Sequence, residues 1–140
     1  MEKTGTLDYR IEDGILWLTY VGDVGIPTIA ATFERIVADP CFRPGMPTIT
    51  DIRRSATFLE VADLQTVREM MAEAHKGATG ERRSAVISDD PMAEKMVRLG
   101  QDVFDQKIGE LRVRLRHYPA RAMSEALAWI KGGAVKALSR

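Results

Sequence analysis

The 140-residue sequence lacks most of the features that would narrow its function directly. Its single cysteine, Cys41, cannot form an internal disulfide, and its two histidines, His75 and His117, do not have the spacing of metal ligands. The 20 Lys and Arg residues balance the 20 Asp and Glu residues, so no net charge favours nucleic acid or another polyanion. No apolar run approaches the roughly 20 residues that span a bilayer, and the N-terminus has no apolar signal segment. We therefore expect a cytoplasmic protein with no metal site, no nucleic-acid partner and no transmembrane segment.

The motifs of common enzyme classes are also missing. The glycine-containing segment "KGATGE" (76–81) lacks the Lys-Ser/Thr pair that a nucleotide-binding loop needs. Neither a Gly-x-Ser-x-Gly motif nor a Cys/His nucleophile pair occurs. The sequence therefore indicates no cofactor. An enzyme, which would use Asp51, Arg53 and Asp89, is the weakest of three functional interpretations.

The hydrophobic periodicity predicts alternating strands and helices in one domain covering residues 1–140. Asp13-Gly14 supplies a tight hairpin turn between the first two strands, and the second strand is apolar on both faces, as an interior strand would be. The predicted order is β-β-α-β-α-β-α-β-α, which implies an α/β fold with a five-stranded, mostly parallel sheet and an antiparallel first strand. The predicted strands are 6–11, 15–21, 46–52, 83–88 and 110–118. The predicted helices are 26–38, one whose apolar stripe runs from Val61 to Ala74 and ends before Gly77, one that opens at Pro91 and has inward residues as far as Phe104, and one of roughly 121–131.

The patterns within these elements also predict which side chains face inward. Asp90 should cap the third helix, whose inward face is expected to carry Met92, Met96, Leu99, Val103 and Phe104. His75 falls in the last turn of the second helix, where a cationic ring would suit the negative end of the helix dipole. The last strand alternates apolar residues with Arg112, Arg114 and Arg116, which is typical of an edge strand protected by charge. The tail "GGAVKALSR" is expected to extend the last helix or to fray.

Two stretches carry a resemblance to a known family. The third strand ends at Asp51-Ile52 before the run "FLEVADL" (58–64), and "SEALAWI" (124–130) lies in the last helix. Together with the topology, they resemble the STAS domain, the SpoIIAA-like fold of the sporulation anti-sigma factor antagonists. The resemblance implies a regulatory domain that docks to a protein partner. Phosphorylated members carry a serine at the start of this helix, but the two matching positions here are Val61 and Ala62, which have no hydroxyl.

A polar rim is expected where the third and fourth strands end, because open parallel sheets bind ligands beyond the carboxyl ends of their strands. Arginines beside carboxylates and hydroxyls can hold an anionic group or contribute to docking, together with the exposed side of the second helix. The alternative is that Asp90 only caps a helix while the arginines pair with acids in solvent. The residues of this predicted rim are Asp51, Arg53, Arg54, Ser55, Ser88, Asp89 and Asp90.

A carrier of a small apolar or acyl ligand is the alternative function. The sequence also resembles small bacterial proteins related by topology to the lipid-carrying CRAL-TRIO domains, which implies either a protein-docking module or a carrier of an apolar or amphipathic molecule. A carrier is expected to bind its ligand between the second and third helices. Flexible thioethers suit such a site, although they also fill ordinary cores. The methionines concerned are Met70, Met71, Met92 and Met96. The expected partner is thus a protein or a small apolar ligand, and a homodimer is a further expectation because one sheet face is less covered by helices.

Overall fold

The computed structural model describes residues 3–56, 60–104, 111–132 and 135–136. Strands and helices alternate in the predicted order. A short 3₁₀ turn, Ala120–Ala122, precedes the last helix. The strands are β1 Thr6–Glu12, β2 Ile15–Gly22, β3 Thr48–Ser55, β4 Thr79–Ile87, β5 Leu111–Tyr118 and β6 Val135–Lys136, and the helices are α1 Ile26–Ala38, α2 Val61–Ala74, α3 Pro91–Phe104 and α4 Met123–Lys131.

The strands form one twisted sheet in the order β1-β2-β3-β4-β5. β2 to β5 are parallel, and β1 pairs antiparallel with β2 through the tight turn at Asp13-Gly14. Both turn residues have positive φ angles, 55° and 73°, as a two-residue hairpin turn of the favoured hand requires. The predicted α/β fold with an antiparallel first strand is therefore confirmed. The expectation for the tail is wrong at Val135–Lys136, because these residues pair antiparallel with Thr79 and Gly80 of β4.

Helices cover both faces of the sheet. On one face, α1 packs Ile29, Phe33 and Ile36 against β2 side chains such as Leu16 and Leu18. On the other face, α4 packs Ala126 and Ile130 against Ile15, Ile49 and Ile87. β2 is consequently buried on both faces. This burial explains why the residues that point to either face of the strand are mostly apolar. In the described ranges no helix is long and apolar enough to cross a membrane.

Helix α3 faces the sheet with a different side from the one predicted. Ala93 and Val97 are buried, whereas Met92, Met96 and Leu99 are 58%, 39% and 47% exposed. The buried pair and the exposed set both recur at helical spacing, on faces of the helix about 100° apart. Periodicity alone therefore does not distinguish which of the two faces packs against the sheet. The smaller set packs inward, and the larger apolar side chains point outward. Val103 and Phe104 were also expected to face inward, but their side chains lie outside the described part of the chain.

Two strand boundaries differ from the prediction and affect the candidate site. β3 continues to Ser55 instead of ending at residue 52, and Ala56 beyond it donates its amide N–H to the Gly22 carbonyl at 2.8 Å. Ser55 thus belongs to the strand rather than to a loop. β4 begins at Thr79 rather than at residue 83, so that Arg82 lies within the sheet.

Candidate functional site

A cavity of about 540 Å³ lies beyond the carboxyl ends of β3 and β4, between the sheet and helices α2 and α3. We call it the outer cavity. Arg53, Ser55, Ser88, Asp89 and Asp90 contribute to its wall, so the fold brings together five of the seven residues of the predicted rim. Asp51 and Arg54 are not part of that wall. Apolar side chains, including Leu64, Val86, Met96 and Val97, form much of the rest.

The charged groups of this rim are largely paired with one another or with backbone. Arg53 donates two side-chain hydrogen bonds to Asp51, from Nε at 3.0 Å and from Nη2 at 2.7 Å. These hydrogen bonds lower the pKa of the Asp51 carboxyl and raise the pKa of the Arg53 guanidinium, so both groups are held in their charged forms. Asp90 accepts the amide of Met92 at 2.9 Å and caps α3 as predicted, while Asp89 accepts the amide of Ala120 at 2.9 Å.

A second cavity of about 120 Å³ lies deeper under α1 and α2, and we call it the inner cavity. The two cavities share Tyr20, Thr50, Leu64, Val86 and Leu115 in their walls, so they adjoin. Most of the inner wall is apolar, and its polar members are Thr48, Thr50, Arg82 and Ser84.

The four predicted methionines lie at different places around these cavities. Met71 lines the inner cavity and Met96 lines the outer cavity. Met70 packs, partly buried, against the core between α1 and the sheet, whereas Met92 is exposed. Two of the four therefore lie at cavity walls, and their role as ligand contacts stays a prediction.

Arg82 is a buried cation that the sequence interpretation missed. Its side chain is 2% exposed on the sheet face covered by α1 and α2. Nε donates to the Met46 carbonyl at 3.2 Å and Nη2 donates to Thr48 Oγ1 at 2.6 Å, while Nη1 is buried without a hydrogen-bond partner among the described residues. Burial lowers the pKa of Arg82 to about 10, so the guanidinium stays charged at neutral pH. The alternation of "ERRS" along a strand was the available signal, because one of two consecutive arginines must face inward.

His75 is buried rather than a solvent-facing cation at the end of α2. It is 2% exposed, and its Nδ1 accepts the amide N–H of Gly45 at 2.7 Å. Burial, reinforced by the nearby charge of Arg82, lowers the pKa of His75 to about 2. The ring is therefore neutral at physiological pH, and the expected favourable interaction of a cation with the helix dipole is wrong. Since Nδ1 accepts a hydrogen bond, the ring proton lies on Nε2, which is buried without a partner among the described residues.

The basic row of β5 lies on the opposite face of the sheet, beside α4. Arg114 contacts Glu81 at 3.3 Å, and the Arg116 guanidinium lies 4.9 Å from the centre of the Trp129 ring. Arg83 pairs with Glu81 at 2.9 Å on the same face. β5 ends the path of strands in the sheet, which confirms the prediction of an edge strand. In the described ranges, no three His, Cys, Asp or Glu side chains are grouped as a metal site requires.

Comparisons with known proteins agree with this geometry at the level of the fold. An anti-sigma factor antagonist from Mycobacterium paratuberculosis superposes with a TM-score of 0.56 and 17% identity, covering 91% of this chain and 95% of that chain. The chain has a SpoIIAA-like fold. An uncharacterized protein with a SpoIIAA-like fold from Shewanella loihica superposes with a TM-score of 0.50 and 14% identity, covering 93% of this chain and 96% of that chain. No protein-family model matches the sequence, and no curated protein matches it.

Proposed function

We propose that this chain is a non-catalytic, STAS-like regulatory domain that docks to a protein partner through α3 and the adjoining rim. The observation that carries the proposal is the outward face of α3, where Met92, Met96 and Leu99 are 58%, 39% and 47% exposed. Three large apolar side chains on consecutive turns form a surface that is suited to a partner. The paired charges of Asp51 and Arg53 lie near this surface and favour partners of matching charge pattern.

The similarity to an anti-sigma factor antagonist supports this class of function, because a protein of that name acts on another protein. α2 begins at Val61, the first of the two positions at which the phosphorylated STAS members carry serine. Neither Val61 nor Ala62 can accept a phosphoryl group, so the proposed docking is not switched by phosphorylation at these positions. Asp51 is held as a paired carboxylate by Arg53, which favours docking over acid-base catalysis at this rim.

Affinity capture from the host lysate with two variants and a matched control tests the docking proposal. Leu99→Glu places a charge on the α3 face, and Arg54→Glu reverses an exposed charge of the predicted rim. Both variants should lose the partner that the wild type retains, while their melting temperatures stay close to the wild-type value. Val37→Glu is the control, because Val37 is 48% exposed on α1, away from this surface. If both variants retain the same partner as the wild type, docking through this surface is refuted.

A carrier of a small acyl ligand is a second candidate, and the two adjoining cavities favour it. Their combined walls are mainly apolar, and the outer cavity alone, at about 540 Å³, is in the range of ligand sites. Native mass spectrometry of protein purified from its host tests this candidate and reports a homodimer in the same spectrum. A bound mass that denaturation releases would support the carrier function, whereas a protein that neither retains nor takes up any acyl compound would refute it.

A further inference from the structure

Arg82 carries a charge that no described group neutralises. The oxygens that accept its hydrogen bonds belong to the Met46 carbonyl and the Thr48 hydroxyl, neither of which is an anion. Within the described ranges, no salt bridge to a carboxylate involves Arg82. A buried charge is unfavourable unless it is both paired and hydrogen-bonded. Among the described residues this cation is therefore unpaired, at a place where an anion would be stabilised.

The neighbouring His75 does not supply the missing anion. Its ring is neutral and thus supplies no negative charge. Its Nε2 is buried without an acceptor among the described residues, so the ring offers Arg82 no counter-charge. The wall of the inner cavity includes Arg82 but not His75, so a ligand there would meet the guanidinium. A carboxylate supplies two acceptor oxygens and the negative charge that would balance the Arg82 guanidinium.

The space next to Arg82 specifies the rest of the ligand. Arg82 belongs to the wall of the inner cavity, and the side chains around it include Leu16, Leu18, Val67 and Met71. This wall offers an aliphatic chain extensive apolar contact and few groups that would bind a polar one. The inner cavity, at about 120 Å³, has room for a head group and a few carbons, and the outer cavity can take the remainder.

We propose that the two cavities bind an aliphatic carboxylate, with the carboxylate held by Arg82 and the chain extending through the inner cavity into the outer cavity. This inference rests on the carrier function given above as the second candidate. It specifies the chemical class of the ligand and the direction in which it binds.

The rim does not offer an equivalent site for the head group. Arg53 is the cation in the wall of the outer cavity, and it already makes two side-chain hydrogen bonds with Asp51. The carboxylates of Asp89 and Asp90 lie in the same wall and repel an anion. An aliphatic carboxylate therefore gains more from Arg82 than from Arg53, which favours the orientation with the head group inside.

Matched probes test the inference without any mutation. Calorimetric titration of the wild-type protein compares dodecanoate with dodecanol, which has the same chain and no charge. Dodecanoate should bind about tenfold or more tightly than dodecanol, because a hydrogen-bonded charge pair forms only with the carboxylate. Equal affinities would overturn the role of Arg82 while leaving a carrier of uncharged acyl compounds. If neither probe binds, the carrier function itself is refuted.

Two arginine variants then distinguish the orientations. Arg82→Met should remove the preference for dodecanoate over dodecanol, whereas Arg53→Met should keep that preference even where it changes the affinity for both probes. The converse result, with loss only in Arg53→Met, would place the head group at the rim and overturn the inference. Thermal unfolding confirms that each variant is folded. If Arg82→Met does not fold, the comparison of the two probes on wild-type protein still decides the outcome.

Discussion

The buried imidazole of His75 should make the protein less stable as the pH falls below about 6.5. In the unfolded chain this histidine takes its ordinary pKa of 6.5, whereas burial lowers the folded value to about 2. Between these two values the unfolded chain binds a proton that the folded chain does not. The free energy of unfolding therefore decreases as the pH falls through this range, and the full contribution of His75 is present only above pH 6.5.

The size of the effect follows from the pKa difference. Each unit of pH below the unfolded pKa costs about 1.4 kcal/mol, so acidification from neutral pH to pH 5 should cost about 2 kcal/mol. His75 is only 2% exposed, so solvent screening reduces this figure little. For a domain of this size, such a loss lowers the melting temperature by about 4–8 °C.

Urea unfolding of the wild type and of His75→Asn at several pH values between 7.5 and 5 measures this contribution. The asparagine side-chain oxygen can accept the Gly45 amide in place of Nδ1, but it does not titrate. Arginine hydrogen bonds lower the pKa values of Asp51 and Glu81, so the stability from these carboxylates is lost only at lower pH, outside the measured range. The variant should lose about 2 kcal/mol less than the wild type on acidification. Parallel pH profiles for the two proteins would refute the assignment.

Two further predictions concern the framework of the site. Asp90→Ala removes the carboxylate that accepts the Met92 amide, so the free energy of unfolding measured by chemical denaturation should fall by about 1 kcal/mol. Asp90→Asn keeps an acceptor and should therefore retain most of that stability. Ile29→Ala creates a cavity at a residue with 0% exposure and should cost about 2–5 kcal/mol, whereas Val37→Ala on the same helix, at 48% exposure, should cost less than about 0.5 kcal/mol. Similar losses for the two alanine variants would contradict the placement of α1.

The sequence predicted those elements whose signals are local. α1 spans Ile26–Ala38, as its apolar spacing predicted, and Pro27 lies in the first turn where its missing N–H is not needed. The hairpin at Asp13-Gly14 was equally predictable, because these residue types tolerate the positive φ angles that the turn requires. The SpoIIAA-like topology followed from the alternation of such elements.

The face that α3 presents to the sheet could not be predicted from local signals. Ala93 and Val97 pack inward although Met92, Met96 and Leu99 are larger. A hydrophobic pattern predicts that the largest apolar side chains face inward. Helix α3 lies close to β5, where only small side chains fit between helix and sheet. Gly100, which lies in the wall of the outer cavity, belongs to this inward set. The choice depends on tertiary packing that no single helix encodes.

The candidate site was predictable only at its rim. Topology places the ends of β3 and β4 side by side, which brought Arg53, Ser88 and Asp89 to one cavity. The buried groups were missed because the predicted fourth strand began one residue after Arg82, and because His75 was interpreted as a cation at the end of the second helix. Whether a polar side chain is buried depends on the elements that fold over it, here α1 and the segment around Gly45 and Met46.

The register of β4 decides the chemistry of both sheet faces. Successive strand residues face opposite sides, so Glu81 and Arg83 lie on the face covered by α4, where they pair with each other at 2.9 Å. Arg82, between them, faces the cavities and has no carboxylate among its described contacts. A shift of one residue would exchange the two sets and bury the Glu81 and Arg83 pair in the core. The apolar residues Ala85 and Ile87, which α4 requires, prevent that shift. The same residues that secure the packing of α4 therefore hold Arg82 beside the cavities, where it meets no carboxylate in the described ranges.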